Sequence, residues 1–315
     1  MKKIFYILKP LIPRSFQIFL RRILIRTKIN EYKDLWPILD SAGKKPEGFP
    51  GWKDNKKFAF VLTHDVELQG GHDKSLQLMR LEKNLGFRSS FNFVPERYRV
   101  SSIVREELVR NGFEVGVHGL NHDGKLFSSR EIFLKRAKKI NEYLKQWNSV
   151  GFRAPAMHHN LEWQHDLNIK YDLSTFDTDP FEPQPDGVGT IFPFFVKNNY
   201  STYGYWEFPY TLVQDFTLLI LMKEETIDIW KKKLDWIADK GGMALLNVHP
   251  DYINFNNERT LEEFPLKLYN DLLQYVSEKY KDDYWNPLPR DLAEYLDHNF
   301  DSSANTKINN TAISL

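Results

Sequence analysis

The chain has 315 residues, of which 42% are hydrophobic and 15% aromatic, enough to bury a sizeable core as one large domain or two small ones. It contains no cysteine, which excludes disulfide bonds, thiolate metal sites and cysteine nucleophiles, and fits a reducing compartment. Residues 1–28 carry a charge of +8 and the remainder −7, for a total of +1, and the mildly acidic body argues against nucleic acid as a partner.

The first predicted element is a basic amphipathic helix after Pro13. Its apolar positions recur with helical spacing: Phe16, Phe19, Leu20, Ile23 and Leu24. Its other side is polar: Gln17, Arg21, Arg22 and Lys28. Such a helix can lie on an anionic membrane surface or dock on the protein as an ordinary surface helix, and both interpretations stay open. No apolar stretch reaches the roughly 18 residues that span a membrane as a helix. Lys9 and Arg14 interrupt any apolar stretch near the start, which disfavours a secretory signal. We therefore expect a cytoplasmic protein, peripheral on the inner membrane face if residues 1–28 bind lipid.

Strand and helix patterns alternate after a hinge-like segment at residues 40–52. Strands are predicted at 58–62, 89–94 and 113–117, and helices at 74–85, 101–110 and 128–146. The last of these helices begins with a predicted capping box, formed by Ser128 and Glu131. Repeated strand–helix units predict an α/β fold with a parallel sheet or barrel, whose reactive side chains gather at the carboxyl ends of the strands.

The middle of the chain interrupts this alternation. Residues 176–189 contain three prolines and two glycines, and predict a long ordered loop. Strands then follow at 190–196, 205–209 and 243–248, and helices at 225–239, 261–278 and 288–296. We therefore expect an N-terminal segment and linker at 1–50, one body at 51–300, and a disordered polar tail at 301–315.

Several predicted strands end in a side chain suited to catalysis or metal binding. Asp65 and Glu67 follow the first strand, two residues apart and therefore on the same side of an extended backbone. His118 and His122 have the spacing that brings two imidazoles to one face of a helical turn, where they can chelate a single divalent metal. Two later strands end near Arg153 and His249.

The order of these groups, an acid, His-x-x-x-His, Arg-x-Pro and Leu-x-x-His, resembles the polysaccharide deacetylases. This carbohydrate esterase family includes chitin, peptidoglycan and chitooligosaccharide deacetylases. The resemblance covers residues 58–250, about two thirds of the chain. It implies that residues 51–300 form the fold of that family, a distorted (β/α) barrel of about seven strands.

The resemblance also implies roles for the first two motifs. The family begins with Thr-Phe-Asp-Asp, where the first Asp is the general base and the second binds the metal. Here Asp65 matches the base, whereas Val66 stands where the metal carboxylate belongs. Either Glu67 takes over as metal ligand, or Asp65 binds the metal and Glu67 is the base. His118 and His122 match the two histidine ligands.

The remaining motifs imply the rest of the catalytic set. Arg153 matches the arginine that orients the base, and His249 matches the general acid. The family also has an aspartate that holds the acid histidine, and no motif here matches it. Asp172, Asp177 and Asp179 are candidates, of which we favour Asp179. The implied cofactor is a divalent metal ion, with zinc expected first and manganese, cobalt and nickel as alternatives.

These residues predict metal-assisted amide hydrolysis. Together with the resemblance, they imply a metal-dependent hydrolase that removes an N-acetyl group from an amino sugar in a polysaccharide, an oligosaccharide or a lipid-linked glycan precursor. A divalent ion with two imidazoles and one carboxylate keeps open positions for water and the acyl oxygen. Three alternatives remain: a related hydrolase of a non-sugar amide bond, a catalytically silent glycan-binding member, and a membrane-surface scaffold that acts through residues 1–28. The lost aspartate at Val66 keeps the silent member in view.

Overall fold

The computed structural model describes residues 13–198, 203–256 and 262–300, and the predicted tail at 301–315 lies outside them. In this part of the chain the strands are β1 (Phe58–Val66), β2 (Ser89–Phe93), β3 (Glu114–His118), β4 (Gly151–Arg153), β5 (Tyr171–Asp172), β6 (Phe194–Lys197), β7 (Gly204–Glu207), β8 (Met243–Asn247), β9 (Ile253–Asn254), β10 (Phe264–Pro265) and β11 (Tyr284–Trp285). The helices are α1 (Arg14–Lys28), α2 (Gln69–Asn84), α3 (Ser102–Arg110), α4 (Arg130–Gln146), α5 (Asp228–Lys240), α6 (Leu266–Tyr280) and α7 (Pro289–Asn299).

One sheet of nine strands organises the described residues. Its order is β8–β1–β2–β3–β4–β5–β7–β6, and β11 pairs with the first residues of β1. Within this sheet β6 runs antiparallel to β7, and the other eight strands are parallel. The backbone N–H groups of Thr211 and Leu212 both donate to the Leu245 carbonyl of β8, so the chain after β7 approaches β8. The predicted distorted barrel is confirmed, with eight parallel strands where about seven are expected.

Strand β1 is central to the sheet, and all nine of its residues are buried. It pairs with β8 through Ala59 to Thr63 and with β2 through Leu62 to Val66, so both of its edges are hydrogen-bonded. A strand covered on both faces needs a continuous apolar sequence, which explains the run at its start. The parallel neighbours align their carboxyl ends with Asp65, so side chains from several strands meet at one rim.

The start of α4 differs from its predicted capping box. Ser129, not Ser128, caps the helix, and its hydroxyl accepts a hydrogen bond from the Ile132 N–H at 3.2 Å. Ser128 instead donates its hydroxyl to the Lys125 carbonyl in the preceding turn at 2.7 Å. Because the helix begins one residue later, the position that a capping box requires is held by Ile132, which has no side-chain acceptor.

The segments outside the alternating units are packed on the sheet. Residues 40–52 bury Ala42, Phe49 and Trp52, and the Ala42 carbonyl accepts a hydrogen bond from the Ile191 N–H at 3.0 Å. The loop at 176–189 contains no helix and is joined to the sheet through an isolated bridge between Phe176 and Tyr210. Among the described residues, no helix is long and apolar enough to cross a membrane.

Candidate active site

Asp65 lies at the end of β1, almost fully buried, at the centre of a polar cluster on the sheet rim. Its Oδ1 accepts hydrogen bonds from Asn92 Nδ2 at 3.1 Å and from Arg153 Nη1 at 3.3 Å, and its Oδ2 accepts one from Asn247 Nδ2 at 2.9 Å. Burial alone would raise the pKa of this carboxyl, but the Arg153 guanidinium and the nearby histidines lower it to about 2. Asp65 is therefore a carboxylate with a fixed orientation.

Arg153 holds the strand ends together from beneath the site, and its side chain is fully buried. Its Nη1 lies 2.8 Å from Thr63 Oγ1 and 2.6 Å from Asn247 Oδ1, in addition to Asp65, and its Nε donates to the Leu173 carbonyl at 2.9 Å. A buried guanidinium needs such acceptors to offset its lost hydration. The ends of β1, β4 and β8 are thereby tied to one cation.

Glu67, His118 and His122 form a group whose ligand atoms all lie within 4.8 Å of one another. His118 Nδ1 lies 3.1 Å from the Arg153 carbonyl, which can only accept, so this nitrogen carries the proton and Nε2 keeps its lone pair. Burial lowers the pKa of His118 to about 4, which keeps the ring neutral. His122 Nε2 approaches Glu67 Oε1 to 3.0 Å.

The donor set of this group fits a divalent metal ion. In the described part of the chain, the Nε2 atoms of His118 and His122 are buried and have no aligned hydrogen-bond partner. Two imidazole nitrogens and one carboxylate are ligands that zinc accepts in catalytic sites. Burial would raise the pKa of Glu67, but the adjacent imidazoles, His122 foremost, lower it well below its usual range. Glu67 and His118 thus present the protonation states that metal binding requires.

The two histidines meet through a loop, not on the helical turn that their spacing suggests. His118 is the last residue of β3, and the chain then turns at Gly119 with φ +62°. His122 itself has a positive φ of +54°, which a helical turn excludes. The ring centroids are nevertheless 5.0 Å apart. The expected proximity is present, although its predicted backbone geometry is wrong.

The two acids at the end of β1, Asp65 within the strand and Glu67 directly after it, have different surroundings. Glu67 shares the histidine group, and its Oε2 accepts a hydrogen bond from the Tyr252 hydroxyl at 3.0 Å. Asp65 Oδ1 lies 3.9 Å from His118 Nδ1, the nitrogen that bonds to the Arg153 carbonyl. Of the two acids that the sequence leaves open as metal ligand, Glu67 and not Asp65 belongs to the group with the two histidines.

His249 is held by Asp215 and not by Asp179, the partner that the sequence favours. Asp215 Oδ1 lies 2.6 Å from His249 Nδ1, and Asp215 Oδ2 accepts the His249 backbone N–H at 2.7 Å. Asp179 instead accepts hydrogen bonds from the Tyr210 hydroxyl and the Phe181 N–H, both at 2.9 Å. Asp215 is close to His249 because it follows the segment that bonds to β8. No spacing pattern in the sequence marks that approach.

Electrostatics make His249 a cation. Burial would lower the pKa of this imidazole, but the Asp215 carboxylate, with smaller contributions from Glu67 and Asp65, raises it to about 10. Nδ1 bonds to Asp215, so the proton on Nε2 faces the site, 3.9 Å from Glu67 Oε1. A positively charged imidazole at this position can donate a proton.

Three further residues lie at the site but are not predicted from the sequence: Asn92, Asn247 and Tyr252. Asn92 lies directly opposite Asp65 in the register of β1 and β2, and Asn247 is the last residue of β8. Their signal is a polar residue inside an otherwise apolar strand, which indicates a position facing a polar site. Tyr252 lies in a short turn after His249 and carries no comparable signal.

Comparisons with known proteins identify solved structures that share this fold. No family model and no curated protein matches the chain. A protein from Mycobacterium smegmatis assigned to the polysaccharide deacetylases is 17% identical, with a TM-score of 0.61 over 80% of this chain and 94% of its own. The Puue allantoinase is 14% identical, with a TM-score of 0.63 over 84% and 99%. A protein from Pseudomonas aeruginosa PAO1, also assigned to the polysaccharide deacetylases, is 14% identical, with a TM-score of 0.60 over 84% and 100%.

At these identities the comparisons establish the fold. The parallel sheet of this chain and the three solved structures agree on it. The resemblance predicted from the sequence is confirmed at this level: the chain shares the fold of these polysaccharide deacetylases and of the Puue allantoinase, at 14–17% sequence identity.

Proposed function

We propose that the protein is a metal-dependent hydrolase that removes an N-acetyl group from an amino sugar of a glycan. One observation carries the proposal: the group formed by Glu67, His118 and His122 lies between the carboxylate of Asp65 and the imidazolium of His249. A metal site flanked by a base and an acid is the arrangement that amide hydrolysis requires. Bound there, a divalent ion would polarise the acyl carbonyl and lower the pKa of a water molecule.

In this mechanism Asp65 removes a proton from the attacking water. Its low pKa and its three donors, Asn92, Arg153 and Asn247, keep the carboxylate charged and directed at one point. His249 then donates its Nε2 proton to the departing amine, and Asp215 stabilises the imidazolium until that transfer. The products are acetate and the free amino sugar. Water supplies the new carboxylate oxygen of the acetate and, through Asp65, the proton that restores His249.

Acetate release from N-acetylhexosamine oligosaccharides tests the proposal. Wild type should release acetate when loaded with zinc, and His118→Ala should release roughly a hundredfold less, because one ligand of the metal is lost. His298→Ala is the matched control, since this exposed histidine on α7 lies outside the site. Equal release by wild type and His118→Ala would refute the mechanism.

Metal analysis of the purified protein distinguishes the enzyme from a catalytically silent glycan-binding protein. We expect about one divalent ion per chain in wild type and none in His122→Ala. A protein that binds glycan without catalysis would carry no ion at this position and would bind oligosaccharide equally well in both forms.

A second candidate is a hydrolase that cleaves a non-sugar amide bond with the same residues. The specific support is the fold shared with the Puue allantoinase, at a TM-score of 0.63. Both candidates need the same base, acid and metal ligands, so variants at these positions do not separate them. Assaying cyclic and linear amides beside N-acetyl sugars does: hydrolysis of the amides alone would favour the second candidate.

A further inference from the structure

Helix α1 turns its apolar side toward solvent. The residues of this outer face are 42–53% exposed: Phe16, Phe19, Leu20, Ile23 and Leu24. A surface helix of a globular protein normally buries such a stripe in the core and exposes its polar side. Helix α1 has the reverse orientation, and five large apolar side chains on one face form a patch of the kind that marks a binding surface.

The opposite side of α1 fixes this orientation. Ile18 and Ile25 are buried against the protein body. Arg22 donates from Nε and Nη2 to the Ile220 carbonyl at 3.0 and 2.8 Å, and Arg21 Nη2 lies 3.3 Å from the Phe181 carbonyl. Because arginines of the basic side satisfy carbonyls of the body, rotating the helix to bury its apolar face would break these bonds.

The charges around the outer face are complementary to an anionic surface. Residues 13–28 contain five basic residues and no acidic one. Two of the cations, Arg26 and Lys28, are exposed beside the apolar stripe, and neither forms an ion pair with another residue that the structure describes. Apolar side chains flanked by free cations are typical of helices that lie in the headgroup layer of anionic membranes.

Helix α1 also borders the candidate active site. Arg14 in its first turn pairs with Glu262 and donates to the Tyr252 hydroxyl at 2.8 Å. That hydroxyl in turn donates to Glu67 Oε2 at 3.0 Å. Two hydrogen bonds therefore connect the helix to a carboxylate of the site. A surface that binds the outer face of α1 would hold the site close to that surface.

We propose that the outer face of α1 binds an anionic lipid bilayer and that the substrate is an N-acetylated saccharide carried on a lipid in that bilayer. The proposed binding of α1 to the bilayer rests on the exposure of its apolar face and on its positive charge. The substrate class rests, in addition, on the proposed function.

Co-sedimentation of the full-length protein with vesicles tests the docking. Wild type should bind vesicles of phosphatidylcholine and phosphatidylglycerol at least about tenfold more tightly than vesicles of phosphatidylcholine alone. Phe19→Ser/Leu20→Ser/Ile23→Ser should reduce this binding by about tenfold or more, and Arg26→Glu/Lys28→Glu should remove the preference for the anionic lipid. The matched control is Ile103→Ser/Val109→Ser on α3, two exposed apolar residues at which we expect no effect.

Two results would overturn the docking. One is wild-type protein that stays in the supernatant with anionic vesicles. The other is a wild-type dimer in light scattering that becomes a monomer in the triple serine variant, which would assign the face to a second copy of the chain.

Acetate release from one saccharide in two forms tests the substrate class. On the lipid-linked form in anionic vesicles, the triple serine variant should be at least about tenfold slower than wild type, and on the water-soluble form the two should be equal. An equal loss on both forms would refute the lipid-linked substrate. Vesicle binding without acetate release from either form would overturn the proposed function and leave the docking supported.

Discussion

At the scale of single residues, the site follows from the alternation of side chains at the end of β1. Asp65 and Glu67 both face the rim, whereas Val66 points into the apolar core with no exposed surface. A carboxylate at position 66 would be buried among apolar side chains at high energetic cost. Glu67 instead reaches the histidines from just beyond the strand. Under the proposed function, Glu67 would therefore supply the carboxylate that Val66 lacks.

Asp215 offers the sharpest single-residue test, because the sequence favours Asp179 in its place. Asp215→Asn removes the charge that keeps His249 protonated, so we expect kcat to fall by roughly a hundredfold or more while KM changes little. Asp179→Asn is the matched control, since Asp179 contacts Tyr210 and not His249. Steady-state kinetics with thermal unfolding of both variants is the measurement. A larger loss of kcat in Asp179→Asn would mean that Asp215 is not the partner of the acid.

At the scale of elements, the sequence predicts those strands and helices whose apolar residues form a clear local pattern. The apolar run of β1 and the amphipathic pattern of α4 lead directly to these elements. The two-residue strands β5 and β11 are too short to show any period. Phe216–Leu221 is apolar except for Thr217 and shows no helical period, yet it forms a π-helix in which the Met222 N–H bonds to the Thr217 carbonyl.

The same distinction explains which site residues the sequence finds. Asp65, His118 and His249 lie at or next to strand ends, and parallel strands bring their ends together whatever the details of the fold. Asp215 lies before the π-helix, so its approach to His249 depends on how an irregular segment crosses β8. Tertiary packing of that kind produces no periodic pattern in the sequence, so the sequence does not predict this contact.

Gly116 on β3 shows how an element supports the base. A β-carbon at this position would lie 2.0 Å from Asn92 Oδ1, on the side chain that donates to Asp65. Gly116→Ala should therefore displace Asn92, reduce kcat by about tenfold and lower the free energy of unfolding by about 1 to 3 kcal/mol.

A double-variant cycle tests whether Gly116→Ala lowers kcat by displacing Asn92. Asn92→Ala removes the hydrogen bond without the clash, and Gly116→Ala/Asn92→Ala should be no slower than Asn92→Ala alone. Additive losses of kcat would show that Gly116 acts on the site by another route.

At the scale of the whole molecule, the loop at 176–189 joins the barrel to the N-terminal residues. Phe181 packs edge-on against Tyr32 and Trp36, with ring centroids 6.0 and 5.6 Å apart, and its carbonyl faces Arg21 of α1. Thr178 donates its hydroxyl to the Leu35 carbonyl at 3.1 Å. The orientation of α1 beside the site therefore depends on this loop being held against the barrel.

A buried ion pair holds the loop. Lys233 of α5 lies 3.0 Å from Oδ1 and 2.8 Å from Oδ2 of Asp177, and both side chains are almost fully buried. Lys233→Met leaves a buried carboxyl without its cation, which should lower the free energy of unfolding by about 3 to 5 kcal/mol at neutral pH. Lys232→Met is the matched control, since this neighbouring lysine is exposed. In Asp177→Asn/Lys233→Met no charge remains, so we expect part of the stability to return.

The pKa of Asp177 determines in which direction the stability of Lys233→Met changes with pH. Burial raises the pKa of Asp177 to about 6, above its ordinary value, even with Lys233 beside it. A group whose pKa is raised in the folded state contributes stability that is complete at low pH and is lost as the pH rises through the folded pKa. Without Lys233 that pKa rises further. The stability of Lys233→Met should therefore fall more steeply than that of wild type between about pH 5 and 8. Parallel urea-unfolding profiles over this range would show that Asp177 does not depend on Lys233 for its charge.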